Sequence, residues 1–211
     1  DIHVHLRKGI PMGAGLGGGS SDAAAMLRHL NEEAARVGLA LEPGAFNTLG
    51  AGLGADVPFF LSDWAQGAWA EGIGEKLRPA NVDLSGLHLL LLCPDVHVNT
   101  GWAYKAWDAC AQKKDRTPFL TAGCPAGIGL FCAEGLCVYN SFEQVVYPAY
   151  PRLRLLKEQV LRLGAGAALM SGSGSSVFAL YREKTRAERA AAKLAEDQAL
   201  NQALTLTLLS L

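Results

Sequence analysis

Apolar and polar residues alternate at the start of the chain: Ile2, Val4 and Leu6 against His3, His5 and Arg7. A period of two predicts a strand with one dry face and one wet face. The period then changes. Met26, Leu27, Leu30, Ala34 and Val37 recur at helical spacing and predict a helix over roughly 22–37. Ser20 or Ser21 suits its N-cap, Asp22 its positive end and Gly38 its stop. A short helix is expected over 43–53, then a turn at 54–58 where Pro58 forbids helix continuation. Segments 66–71 and 73–78 read as a hairpin around Gly72.

Composition shifts near 79–86, which divides the chain into parts 1–82 and 83–211. In the second part, 87–93 reads as a buried strand, 99–111 as a helix and 113–129 as a long loop. Leu153, Leu156, Val160 and Leu163 share a face of a helix over 150–163, stopped by Gly164. Short strands at 167–170 and 177–181 flank a Gly/Ser loop. A helix over 184–198 and a closing strand over 203–209 complete the pattern. Strands and helices do not alternate regularly, so the class is α+β rather than a doubly wound parallel sheet.

Half of the 211 residues are apolar, enough for one core or two small ones. A formal net charge of −1 lacks the basic footprint of a nucleic-acid binder. No apolar run approaches the roughly 20 residues that span a bilayer, so neither nucleic acid nor membrane is the expected partner. The cysteines (Cys93, Cys110, Cys124, Cys132 and Cys137) are odd in number and form no CxxC pair. They read as free thiols of a reducing cytoplasm. The first residue is Asp1, and a strand leads straight into a glycine-rich loop. The expectation is a chain that begins in mid-domain.

The chemistry concentrates in Pro11-Met12-Gly13-Ala14-Gly15-Leu16-Gly17-Gly18-Gly19-Ser20-Ser21. Backbone amides grip a triphosphate only where no Cβ blocks the approach. A helix N-terminus adds oriented amides and a partial positive charge. Ser20 and Ser21 are hydroxyls able to bond phosphate or help hold Mg²⁺. The stretch from Gly13 to Gly18 also satisfies G-x-G-x-x-G. A dinucleotide site would want a wholly buried strand before the loop and an acid ending a second strand. The strand here alternates, and Glu32 and Glu33 fall inside the predicted helix. A P-loop would want Gly-Lys-Ser/Thr after the glycines, which is absent.

The pattern Pro-x-Gly-x-Gly-Leu-Gly-Gly-Gly-Ser-Ser-Asp-Ala-Ala resembles the phosphate loop of the GHMP small-molecule kinases. The resemblance extends to Leu53-Gly54-Ala55-Asp56-Val57-Pro58-Phe59-Phe60 and to Ala70-Glu71-Gly72-Ile73-Gly74-Glu75. These narrow it to the branch that acts on a cytidine-diphosphate-linked methylerythritol in non-mevalonate isoprenoid synthesis. The resemblance implies a two-domain fold: an N-terminal part like ribosomal protein S5 domain 2, with its first strands missing, and a ferredoxin-like α+β C-terminal part. It implies ATP and Mg²⁺, a small-molecule substrate, a cytoplasmic location and a monomer or weak homodimer.

On spacing alone, Asp56 reads as a turn cap before Pro58. The resemblance instead makes it the catalytic base. The lysine that the family pairs with this base lies on a strand upstream of Asp1, and Lys8 does not match it. The chain is therefore expected to be catalytically incomplete. Ser171-Gly172-Ser173-Gly174-Ser175-Ser176 reads either as a hairpin turn or as an anion-friendly nest. By resemblance, Ser171, Gly172, Ser173 and Gly174 face substrate and phosphates. From the residues Tyr104 reads as an aromatic of the helix core; by resemblance it matches a position where an aromatic stacks on cytosine, and Thr100 lies in the same segment. Trp64, Trp69, Trp102 and Trp107 read as core or rim. The five histidines show no ligand spacing. Another GHMP kinase, of the phosphomevalonate or homoserine type, and an inert nucleotide-binding fragment stand as alternatives.

Overall fold

The computed structural model describes residues 2–9, 11–62, 67–80, 83–111, 139–197, 200 and 204–211. The predicted loop at 113–129, Trp64, Cys124, Cys132 and Cys137 lie outside them. The chain divides into two compact units, 17–84 and 1–16 together with 85–211.

The larger unit is built on one antiparallel sheet. Its strands are β3 (His88–Pro94), β4 (Ala167–Met170), β5 (Val177–Tyr181) and β6 (Leu204–Ser210), in the order β4-β5-β3-β6. Strand β3 is central, pairing Leu90 with Ala179 on one side and with Leu208 on the other. Helices α4 (Thr100–Ala111), α5 (Glu143–Ala149) and α6 (Pro151–Arg162) connect β3 to β4, and α7 (Lys184–Glu196) connects β5 to β6. This is the βαββαβ arrangement of ferredoxin-like folds, as the resemblance implied.

Alternation fixes which face is dry. Leu90 and Leu92 of β3 meet Val177, Ala179 and Tyr181 of β5 on one face. Leu156 and Val160 of α6 and Ala187, Ala190 and Leu194 of α7 cover that face. Leu90 and Leu92 are fully buried, and each contributes roughly 2 kcal/mol by leaving water. Leu204, Leu206 and Leu208 of β6 extend the core to the sheet edge. These elements lie within a residue or two of their predicted positions, because strand and helix periods are unambiguous here. Helix α5 is not in the sequence pattern. It is short and contains Pro148, so it offers too little periodicity to detect.

The smaller unit holds α1 (Gly18–Arg36), α2 (Pro43–Leu53), α3 (Val57–Leu61) and a hairpin of β1 (Ala68–Glu71) with β2 (Lys76–Pro79). Ala24, Val57 and Leu61 form its buried centre, with Leu27, Phe46 and Phe60 packed around them.

Several expectations are corrected. Helix α1 begins at Gly18 rather than near Asp22, with Gly17 as its left-handed N-cap and no side-chain cap. Ser20 and Ser21 sit inside its first turn, because the glycines can already turn the backbone into the helix. Its buried stripe is Ala24 with Ala23 and Leu27; Leu30 and Val37 are exposed. Pro58 does not block a helix but occupies the first turn of α3, where its missing N–H has no intrahelical partner to lose. The hairpin turn is longer than expected, with Glu71 pairing with Lys76 across four turn residues. The alternation at 2–7 is not realised as a ladder: Ile2, Val4 and Leu6 are 67%, 63% and 61% exposed. Alternation specifies a dry face only when a neighbouring strand or layer is present to cover it. Among the described residues, no helix is long and apolar enough to cross a membrane.

Candidate functional site

In the larger unit, two glycine segments of distant sequence meet backbone to backbone. Gly15 has φ +73°, and a Cβ there would lie 2.2 Å from the Ser171 carbonyl oxygen and 2.8 Å from that of Gly174. Gly172 has φ +53°, and its Cβ would lie 3.1 Å from the Gly15 carbonyl oxygen. Only hydrogen fits at Gly15, while at Gly172 the facing backbone would have to give by a few tenths of an ångström. The Ser171 hydroxyl donates to the Gly15 carbonyl at 2.8 Å, and the Ser176 amide donates to the Ala14 carbonyl at 3.1 Å. The turn closes on itself through the Ser171 amide to the Ser176 carbonyl and the Gly174 amide to the Ser171 carbonyl, both at 2.9 Å. Thr100, at the start of α4, places its hydroxyl 2.9 Å from that of Ser173. Tyr104 stands one turn further along α4, exposed, with its ring edge-to-face against Phe142 at 4.9 Å. It is therefore not a core aromatic.

Two polar residues absent from the sequence reading hold this turn from behind. Asn140 donates to the carbonyls of Met170 and Gly172, both at 2.7 Å. The Glu143 carboxylate accepts from the Met170 amide at 2.9 Å, the Tyr147 hydroxyl at 2.8 Å and the Lys157 ammonium at 2.6 Å. Burial, reinforced by the Glu143 charge, pushes the Tyr147 hydroxyl well above the usual range. A sequence signal existed: Asn140-Ser141-Phe142-Glu143 has the polar-x-x-Glu spacing of a helix start.

In the smaller unit, the site is the start of α1. Its N-cap, Gly17, supplies no side-chain cap, and no acidic residue lies in the first turn. Of its leading amides, that of Ser21 donates back to the Gly17 carbonyl at 2.9 Å. The turn before α3 runs alongside: a side chain on Gly54 would come within 3.9 Å of the Ser20 hydroxyl. Asp56 is the N-cap residue of α3, yet its side chain makes no capping hydrogen bond. The turn-cap role that spacing alone suggested is thus not the one its carboxylate performs. A side chain on Gly74 would come within 3.7 Å of Asp56 Oδ1, so the β1–β2 turn approaches the same carboxylate. Glu75 stiffens that turn by accepting from the Ile73 amide at 2.7 Å. Its own amide and that of Ile73 hold the Glu75 carboxyl below the usual carboxylate range.

The predicted residues thus fall into two sets. Gly15 is brought to Ser171, Gly172 and Gly174, and Thr100 to Ser173, in the larger unit. Ser20 is brought to the Gly54–Asp56 turn in the smaller. Among the described residues, no group of three or more His, Cys, Asp or Glu side chains gathers as a metal cluster.

Comparison with known proteins fits this arrangement. The family model for the GHMP kinases N terminal domain matches residues 1–63, and that for GHMP kinases C terminal matches 123–199. The chain is 47% identical over 195 residues to the 4-diphosphocytidyl-2-C-methyl-D-erythritol kinase of Solidesulfovibrio magneticus, covering 92% of this chain and 64% of that protein. The enzyme of the same name from Nitratidesulfovibrio vulgaris is 50% identical over 193 residues, covering 90% and 64%. That of Oleidesulfovibrio alaskensis is 42% identical over 228 residues, covering 90% and 68%. The chain therefore spans 64% of the length of the first two relatives. A crystal structure of 4-(cytidine 5'-diphospho)-2C-methyl-D-erythritol kinase superposes with a TM-score of 0.68 at 32% identity, over 96% of this chain and 69% of that one. A homoserine kinase from Cytophaga hutchinsonii, at 20% identity and a TM-score of 0.65 over 97% and 68%, shares the fold. With family matches at both ends and close relatives along nearly its whole length, the chain belongs to the GHMP kinase family.

Proposed function

We propose that this chain carries the ATP and substrate sites of a kinase that phosphorylates the 2-hydroxyl of 4-diphosphocytidyl-2-C-methyl-D-erythritol. The observation that carries the reading is the uncapped start of α1, entered through left-handed Gly13, Gly15 and Gly17, beside a turn whose Asp56 does not cap its own helix. Backbone amides and the positive helix end suit a triphosphate. Pro11 through Ser21 would cradle it.

Asp56 would accept the proton of the substrate hydroxyl as its oxygen bonds to the γ-phosphorus and the bond to the β-phosphate oxygen breaks. Mg²⁺, when bound, would neutralise charge building on the phosphates. Kinase Mg²⁺ is typically held by one or two carboxylates together with substrate phosphates and waters, so a closed protein cage is not required. The hydroxyls of Ser20 and Ser21 are the groups here that would face it. Thr100, Ser171, Gly172, Ser173 and Gly174 would contact substrate, and Tyr104 would stack on the cytosine. The enzyme is read as cytoplasmic, a monomer or weak homodimer.

The test is phosphoryl transfer from ATP across a panel of alcohols. The chain is assayed alone and joined to the N-terminal segment of the Solidesulfovibrio magneticus relative, since the family's partner lysine is expected upstream. The cytidine-linked methylerythritol should be the preferred acceptor. Preference for homoserine or phosphomevalonate would refute the substrate assignment, and absence of nucleotide binding would refute the ATP site.

A further inference from the structure

We propose that Asn140 and Glu143 are positioning residues, which set the 171–176 turn against the 13–16 loop and thereby shape the nucleotide-facing backbone. This rests on the ATP site proposed above. Asn140 spans two carbonyls that straddle Ser171, those of Met170 and Gly172. Its side-chain oxygen Oδ1 accepts from the Phe142 backbone amide at 2.9 Å, which fixes the orientation of the side-chain amide. Glu143 holds the Met170 amide, so residue 170 is fastened through its N–H by one side chain and through its C=O by the other.

The anchor is itself rigid. The Glu143 and Lys157 side chains are only 10% and 9% exposed, and the Tyr147 hydroxyl occupies the same carboxylate oxygen as the Met170 amide. A buried carboxylate with three donors has little freedom to shift, since any displacement leaves a charge unpaired. The far end of the clamp is the Ser171 hydroxyl on the Gly15 carbonyl. The contact between Gly15 and the 171–174 backbone leaves no slack, so a shift of the turn must move the glycine loop. Tertiary contact thus couples residue 140 to residue 15, although neither is near the other in sequence.

Asn140→Ala removes both donors and leaves the carbonyls to part-exposed surroundings. Hydrogen–deuterium exchange should rise at least about tenfold in peptides covering 11–17 and 171–176, with α7 at the parent rate. ADP affinity should fall about tenfold. A merely structural network would lower the melting temperature while the folded fraction kept the parent's ADP affinity; that result would overturn the proposal. Ser171→Ala deletes one hydroxyl and its bond to the Gly15 carbonyl and leaves the residues of β4 and β5 unaltered. In its background, Asn140→Ala should accelerate exchange at 11–17 less, because only the Ser176–Ala14 bond and the Gly15 backbone contact still link the two segments, and an undiminished effect would refute transmission through the Ser171 hydroxyl. Exchange needs no nucleotide. A parent that fails to bind ADP defeats the functional reading alone, whereas unchanged loop exchange in Asn140→Ala defeats the clamp whatever the parent binds.

Discussion

Replacing Gly15 by alanine probes the meeting of the two glycine segments directly. The new methyl carbon would stand 2.2 Å from the Ser171 carbonyl oxygen and 2.8 Å from the Gly174 carbonyl oxygen. Both obstacles are backbone, so no rotamer change relieves them. The φ of +73° adds about 1–2 kcal/mol for any L-residue with a Cβ. Separating the segments enough to fit the methyl group would also break the Ser171–Gly15 and Ser176–Ala14 hydrogen bonds, at about 1 kcal/mol each. The loss comes to about 3–4 kcal/mol, a large share of the roughly 5–15 kcal/mol that stabilises a typical protein. For a chain of this size the melting temperature should drop by about 6–16 °C. The assay is thermal unfolding followed by circular dichroism, with Gly19→Ala as the control. Gly19 lies in the first turn of α1 with nothing within 4 Å of a new Cβ. Its alanine variant should melt at or slightly above the parent, since alanine favours a helix over glycine. If the two variants melted together, the close approach of the loops would be refuted.

In the chain joined to the N-terminal segment of the Solidesulfovibrio magneticus relative, Asp56→Asn should leave nucleotide affinity within about threefold of its parent while turnover falls roughly 100- to 10,000-fold; turnover at the parent rate would remove Asp56 from the chemistry. Gly38→Ala should cost about 1 kcal/mol by urea unfolding. Gly38 holds φ +76° in the C-cap of α1, where its amide bonds the Ala35 carbonyl and the Leu39 amide bonds the Ala34 carbonyl. A neutral effect would mean that this cap does not form in solution. Burial pushes the Tyr181 hydroxyl up to about 12. The fold favours the protonated phenol, so that contribution is intact below about pH 10 and lost as pH rises toward about 12. Stability should fall through that window, and Tyr181→Phe should flatten the fall; an equally steep decline in Tyr181→Phe would assign it to other groups.

Much of this protein is determined by the sequence alone. Helical period marks α6, the continuous apolar run marks the buried strand β3, and the short apolar runs and the breakers beside them mark α2, α4, α7 and β4 to β6, all within a residue or two. The glycine run at 13–19 points to phosphate chemistry, because few other tasks need so many positions without a Cβ, whereas the Gly54-Ala55-Asp56-Val57-Pro58 segment gains a chemical role only through the family resemblance. What sequence could not supply is whatever depends on a partner. Ile2, Val4 and Leu6 have strand spacing but no ladder in this fold. Ser20 and Ser21 look like caps but ride inside the first turn, since Gly17 takes the left-handed entry. Pro58 looks like a stop but begins a helix. Only the tertiary structure decided that residue 15 touches 171 and 174, and that Asn140 and Glu143 stand behind that contact. The first is a backbone-to-backbone contact across 156 residues and the second a set of polar contacts across 27 to 32, and neither leaves a periodic trace in the chain.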